Sequence, residues 1–223
     1  MIHSDAKGTI ARRVAQELKN DDVVNLGIGL PTLALDYLDE NVNVILHSEN
    51  GFIGLGPVQG IENSNLVNAG GQFAGIVSGG STFDSAMSFA LVRGGHIHVT
   101  VLGALQVDVK GNLANWMVPG KMIPGMGGAM DLVVGAKKVI IAMEHCCKDG
   151  SPKILNHCTL PLTGKGVVNM LITELAVFTV QQDGLMMDEI TEGINIEYVQ
   201  ARMEAPFSVN PNLKVNPVFL SHQ

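Results

Sequence analysis

Apolar and polar positions alternate in a way that changes period repeatedly along the chain. Ile10, Val14 and Leu18 recur at four-residue spacing, with Ala11 and Ala15 beside them and Ser4 and Asp5 in front. That pattern predicts an amphipathic helix capped at Ser4 or Asp5 and ending near Asn20. Val23 to Leu26 is a short apolar run of strand type, and Gly27-Ile28-Gly29-Leu30-Pro31 then turns the chain. Pro31 suits the first turn of a helix reaching about Leu38. Val42 to His47 predicts another strand, stopped by Ser48-Glu49-Asn50-Gly51. From Gly51 to Gly80 the period fades into loops and short strands. Phe83 to Arg93 predicts a helix with Phe83, Met87, Ala90 and Leu91 on one side, halted by Gly94-Gly95.

Beyond it, Ile97, Val99 and Val101 alternate with His96, His98 and Thr100, which predicts a strand. Lys110-Gly111-Asn112 reads as a hairpin tip. Gly120 to Gly128 is a Gly-rich loop, and Lys138 to Met143 is an apolar strand. Val167 to Thr173 and Ala176 to Val180 are weaker strand candidates, and Ile190 to Met203 is mixed. The tail carries Pro206, Pro211 and Pro217, so about 206–223 is expected to wrap the surface or fray. Strands alternating with helices, with Gly-rich turns after strands, predict an α/β fold. Its form is an open, largely parallel sheet with flanking helices in one domain over 1–223. Ligand sites in such sheets lie beyond the carboxyl ends of the strands.

Composition narrows the classes. The 223 residues are 46% hydrophobic and only 16% charged, which suits a well-buried core. The net charge of −7 disfavours nucleic acid and acidic membrane surfaces as partners. No apolar run approaches the roughly 18 residues a membrane span needs. The charged stretch from Ser4 to Asn20 does not resemble a secretory signal. Cys146, Cys147 and Cys158 make a poor disulfide framework, and a reducing cytoplasm is expected.

Three sites carry possible chemistry. Glu49 follows a buried strand and precedes Asn-Gly, so it serves either as a turn residue or as base, metal ligand or nucleophile. Gly27-Ile28-Gly29 either shapes a turn or binds an anion at the next helix. It lacks the third glycine of a dinucleotide fingerprint. Gly125-Met126-Gly127-Gly128 either needs positive φ or frees backbone N–H groups to meet an oxyanion. His96-x-His98 and Glu144-His145-Cys146-Cys147 lack a second ligand cluster, so no metal is expected. Trp116 is expected to anchor packing. No P-loop or Gly-x-Ser-x-Gly elbow is present.

Together, longer strings are far more specific. Val24 to Pro31, Ser48-Glu49-Asn50-Gly51-Phe52-Ile53-Gly54-Leu55-Gly56-Pro57 and Val67-Asn68-Ala69-Gly70-Gly71-Gln72 occur in order. Phe89 to His96, Ala114-Asn115-Trp116-Met117-Val118-Pro119-Gly120-Lys121-Met122, Gly125 to Val133 and Cys158 to Gly164 follow. From Lys7 to Glu192 the chain resembles the β subunit of the family I (3-oxoacid) CoA-transferases, in particular its bacterial acetate/acetoacetate branch. The resemblance implies that Glu49 is the nucleophile and that Gly128 offers its N–H to the oxyanion. It implies that Asn25 lies beside the carboxylate, and that Gly27, Gly29, Asn50, Gly51 and Gly127 belong to the substrate and CoA site. It implies coenzyme A as substrate, no cofactor, and acetyl, acetoacetyl or butyryl groups as cargo. A separate α subunit carrying a Gly-Gly-Phe-Gly loop is implied, in an α2β2 heterotetramer. Some members carry a Lys where this chain has Gly71, so any contact that Lys makes is missing here. An acyl-CoA hydrolase on the same scaffold and a non-enzymatic ligand-sensing α/β domain are the rival expectations.

Overall fold

The computed structural model describes residues 5–120 and 125–217. Asp5 caps the first helix α1 (Ala6–Ala15), its carboxylate accepting from the Gly8 N–H at 3.0 Å. Helix α1 stops one turn short of the expected Asn20, yet Leu18 stays buried. Strand β1 (Val23–Leu26) follows where the apolar run predicts it. The next element, Leu30–Tyr37, is a 3₁₀ helix, entered through Gly29 at φ 89°. Thr32 N–H bonds the Gly29 carbonyl at 3.1 Å, the i to i+3 closure of that helix type.

Strand β2 (Ile45–Ser48) runs parallel to β1, and β3 (Phe52–Gly56) and β4 (Gly75–Thr82) return antiparallel at the sheet edge. Helix α2 (Ser85–Arg93) starts at Asp84, whose side chain accepts from Met87 N–H. Its inward face differs from the expected one. Ser88 and Val92 are buried, whereas Met87 is 53% exposed. Strand β5 (Val99–Leu102) begins after the two histidines, and the His98 ring nitrogen Nδ1 instead accepts from Val23 N–H at 2.8 Å.

A hairpin of β6 (Gln106–Asp108) and β7 (Leu113–Ala114) pairs with β9 (Ile154–Leu155) in a small sheet. Its tip is the expected Lys110-Gly111-Asn112, with Gly111 at φ 71° and Asp108 accepting from Lys110 N–H. Helix α3 (Ala129–Gly135), β8 (Lys138–Ala142), β10 (Met170–Ile172), β11 (Ala176–Gln181) and β12 (Gly184–Thr191) complete the core with the short α4 (Ile196–Gln200). The tail departs from expectation: Phe207–Asn216 is a strand, β13, paired parallel to β12. Pro211 lies where the pairing register shifts, between the Val209 and Lys214 pairs, as an edge strand allows.

Among the described residues the main sheet has the order β13-β12-β11-β10-β8-β5-β1-β2-β3-β4. Its centre, β10-β8-β5-β1-β2, is wholly parallel. Successive residues of β1 serve opposite faces. Val24 joins Ile10 and Val14 of α1, and Val23 joins Val92 of α2 and Leu132 of α3. From β1 the chain goes first to β2 on one side and later to β5 on the other. The carboxyl end of β1 is therefore a topological switch point.

A buried ion-pair network pins α1 to the far half of the sheet. Arg13 grips Glu189 of β12 with two bonds of 2.6 and 2.7 Å and reaches Glu17 at 2.7 Å. Burial pushes the Glu189 carboxyl up, but the bonds from Arg13 and Asn216 outweigh it and leave the group below its ordinary value of 4.5. A depressed carboxyl stabilises above its unfolded pKa and loses that contribution as pH falls through the folded one. Arg13→Ala leaves the buried Glu189 carboxylate without its guanidinium partner, held only by the Asn216 amide, and is expected to cost roughly 3 kcal/mol in urea titrations at pH 7. Acid unfolding of the parent should take hold below pH 4.5, and the deficit of Arg13→Ala should shrink there.

Candidate active site

Register creates the centre of the site. The parallel pairing of β1 with β2 sets Asn25 directly beside His47. Both side chains then leave the sheet on the face covered by α2 and α3. Glu49 lies two residues past His47, so the alternation of the strand returns it to the same face. Asn25 is 2% exposed, and its Nδ2 donates to Glu49 Oε2 at 3.0 Å. The carboxylate is half-buried at the strand end. Nδ2 also lies 3.3 Å from His47 Nδ1 and 3.4 Å from the His47 carbonyl, and His47 Nε2 lies 3.0 Å from the buried Ser88 hydroxyl of α2. Burial lowers the His47 pKa, against a smaller opposing pull from Glu49, and keeps the ring neutral at pH 7.

The turn after Glu49 is held by backbone. Gly51 sits at φ 124°, and a Cβ there would lie 2.1 Å from the Phe83 carbonyl oxygen. Only glycine fits. Asn50 is exposed and its Nδ2 donates to the Val67 carbonyl at 2.7 Å, while the Ser48 hydroxyl accepts from Ala69 N–H at 3.0 Å. These bonds draw the Asn68–Gln72 loop over the site.

The second Gly-rich loop arrives from the other side. Gly128 leads into α3, and a Cβ on it would stand 3.0 Å from Glu49 Cγ and 3.0 Å from the Phe89 ring. Around this contact lies a cavity of about 400 Å³ at the carboxyl ends of β1, β2 and β5. Asn25, Gly27, Glu49, Gly127 and Gly128 line it. Gly29, Asn50 and Gly51 do not; Gly29 opens the 3₁₀ helix and the other two shape the turn. Leu26, Leu46, Leu55, Leu102 and Leu132 make much of the wall apolar, and among the described residues Glu49 is the only charged one in it. A neighbouring hollow runs past Gly27 and Met126 to Trp116, whose indole N–H reaches the Leu162 carbonyl at 3.4 Å.

Reasoning from sequence missed His47 and Ser88. The signal was present: a His inside the apolar run Val42 to His47 needs a buried partner. The other cluster is elsewhere. His145 is fully buried, its Nδ1 3.0 Å from the Thr173 hydroxyl, and burial with nearby Arg202 and Lys153 lowers its pKa to about 4. Among the described residues no three His, Cys, Asp or Glu side chains group to hold a metal ion. Residues 121–124, the end of one string and part of the Gly120–Gly128 loop, lie outside the described residues.

Comparisons with known proteins identify the family. The family model described as Coenzyme A transferase matches residues 7–202. The acetate CoA-transferase subunit beta of Escherichia coli K12 is 61% identical over 94% of this chain and 96% of its own. The protein of that name from Haemophilus influenzae is 60% identical over 94% and 95%. An acyl-CoA transferase of Escherichia coli O157:H7 superposes with a TM-score of 0.78 at 24% identity, over 95% of this chain and 43% of the longer one. The chain belongs to the Coenzyme A transferase family. It serves in an enzyme that moves CoA between an acyl thioester and a free carboxylate, and within the family it is similar to β subunits.

Gly128→Ala separates contact from fold. The backbone there, at φ −87° and ψ 4°, is open to L residues, and the nearest atoms the added methyl meets belong to Glu49 and Phe89. Thermal unfolding should move by about 2 °C or less, since no core contact is lost. The kcat of the assembled transferase should fall about tenfold or more, as near-attack geometry is lost.

Proposed function

We propose that this chain is the catalytic β subunit of a short-chain acyl-CoA transferase, with Glu49 as the covalent carrier. The supporting observation is a single half-buried carboxylate, hydrogen-bonded at 3.0 Å and wedged against the Gly128 backbone at the mouth of an apolar cavity. A carboxylate in water is a weak nucleophile because it is solvated; here its surroundings are largely apolar.

In the proposed sequence a Glu49 oxygen attacks the acyl-CoA carbonyl carbon. The Gly128 N–H, with a donor from the partner subunit, meets the tetrahedral oxyanion. The C–S bond breaks and CoA thiolate leaves a mixed acyl–glutamyl anhydride. The thiolate then attacks the glutamyl carbonyl, releasing the first carboxylate and leaving CoA as a thioester on Glu49. An acceptor carboxylate runs the two steps backwards. Thioester energy is conserved and no net proton moves, so the balance calls on no metal, ATP or cofactor beyond the CoA of the substrate. Asn25, with one N–H on Oε2, orients the attacking carboxylate. Gly27 and Gly127 line the approach to it.

The partner is proposed to be a separate α subunit in an α2β2 heterotetramer. The relatives' subunit names and the longer single chain, of which this one spans 43%, support that reading. No helix among the described residues is long and apolar enough to cross a membrane. Three free thiols suit the cytoplasm we propose.

Assembled with its partner, Glu49→Ala should lose transfer by about 10⁴-fold or more, and Glu49→Asp, one methylene short, nearly as much. A transferase consumes acyl-CoA only when a carboxylate is supplied, whereas a hydrolase on the same scaffold would consume it without one. Because no Lys or Arg among the described residues lines the cavity, a second acyl carboxylate would be buried without a cation. Acetate or butyrate should therefore exceed succinate about tenfold or more in kcat/KM as acceptor. Equal use of succinate would contradict this.

A further inference from the structure

The proposed mechanism uses Asn25 and Glu49 but leaves two buried polar groups, His47 and Ser88, without a task. Their contacts with one another and with Glu49 fit one proton pattern. Glu49 is acceptor-only, so the atom facing Oε2 at 3.0 Å must be the Asn25 amide nitrogen rather than its oxygen. The second N–H of that nitrogen points to His47, 3.3 Å from Nδ1 and 3.4 Å from the carbonyl. A proton on Nδ1 would set donor against donor, so Nδ1 carries the lone pair. The proton is then on Nε2 and is donated to the Ser88 hydroxyl at 3.0 Å. Ser88 is 0% exposed and sits on α2, a rigid element packed through Val92 on the same face of the sheet.

We infer that His47 and Ser88 are positioning residues, a neutral relay that fixes the amide of Asn25 so that one N–H is always presented to Glu49. The inference rests on the reading of Glu49 as the reacting carboxylate. Without the relay the Asn25 amide can rotate about χ2 and turn its oxygen to the carboxylate, a repulsive contact. With it, one direction is enforced from the far side, 41 residues away in sequence. The device orients; it transfers no proton. A Gln at position 47 has the same complement, an oxygen to accept from Asn25 and an N–H to donate to Ser88, and so meets the need without an imidazole. A Leu meets neither.

The test uses the complex assembled with its partner and steady-state kinetics with acetyl-CoA and an acceptor carboxylate. His47→Leu is expected to lower kcat tenfold or more, with KM for acyl-CoA within threefold. His47→Gln should recover kcat to within threefold of the parent. In an Asn25→Ala background, His47→Leu should produce no further loss, because it acts through the residue already removed. Should His47→Leu not assemble, Ser88→Ala carries the same cycle, with a three- to tenfold loss expected in the parent and none beside Asn25→Ala. A kcat within twofold of the parent in the assembled variant tested would overturn the inference. So would a loss that Gln does not relieve, or one that multiplies with that of Asn25→Ala. Unchanged transfer in Glu49→Ala would instead refute the underlying reading and is scored separately.

Discussion

The hydrogen bond from Asn25 to Glu49 depends on a strand register, and the register depends on the core. A slip of one residue between β1 and β2 would turn Asn25 toward α1 and Val24 toward the site. Val24 cannot go there, because it is fully buried against Ile10 and Val14. The apolar stripe of α1 therefore decides, from the opposite face of the sheet, where the Asn25 amide lies. Packing and chemistry share one constraint.

The same economy explains the glycines that matter. Gly51 allows the chain to reverse under the Phe83 carbonyl directly after Glu49. Gly128 allows a second loop to press backbone, rather than a side chain, against the carboxylate. The two loops come from distant parts of the chain and meet at the one end of the parallel sheet where the strand order reverses. That end offers free strand termini, so a pocket forms there without interrupting any ladder.

Much of this was legible in the residue pattern. The apolar runs at Val23 to Leu26 and Lys138 to Met143 marked central strands, and Glu49 was visible as a carboxylate at a strand end. What periodicity could not supply was pairing. Asn25 and His47 are each lone polar residues in apolar runs, and only the sheet brings them into register. The apolar side read for α2, with Met87 and Leu91 on it, is not the face the helix buries, which carries Val92 and Ser88, the latter against a histidine. The prolines of the tail suggested irregular chain, yet an edge strand tolerates them, and β13 forms by pairing with β12. Helix α3 is too short, at 7 residues, to show a period of its own.

The claim on which the chemistry rests is that Glu49 becomes covalently bound to CoA. Incubation of the assembled enzyme with acyl-CoA, without acceptor, followed by borohydride, should reduce a thioester at that side chain and abolish activity. Peptide mass analysis should then place the change, a carboxylate converted to an alcohol, at Glu49 alone. An unmodified Glu49 peptide in inactivated enzyme, or the mark on another residue, would contradict the account.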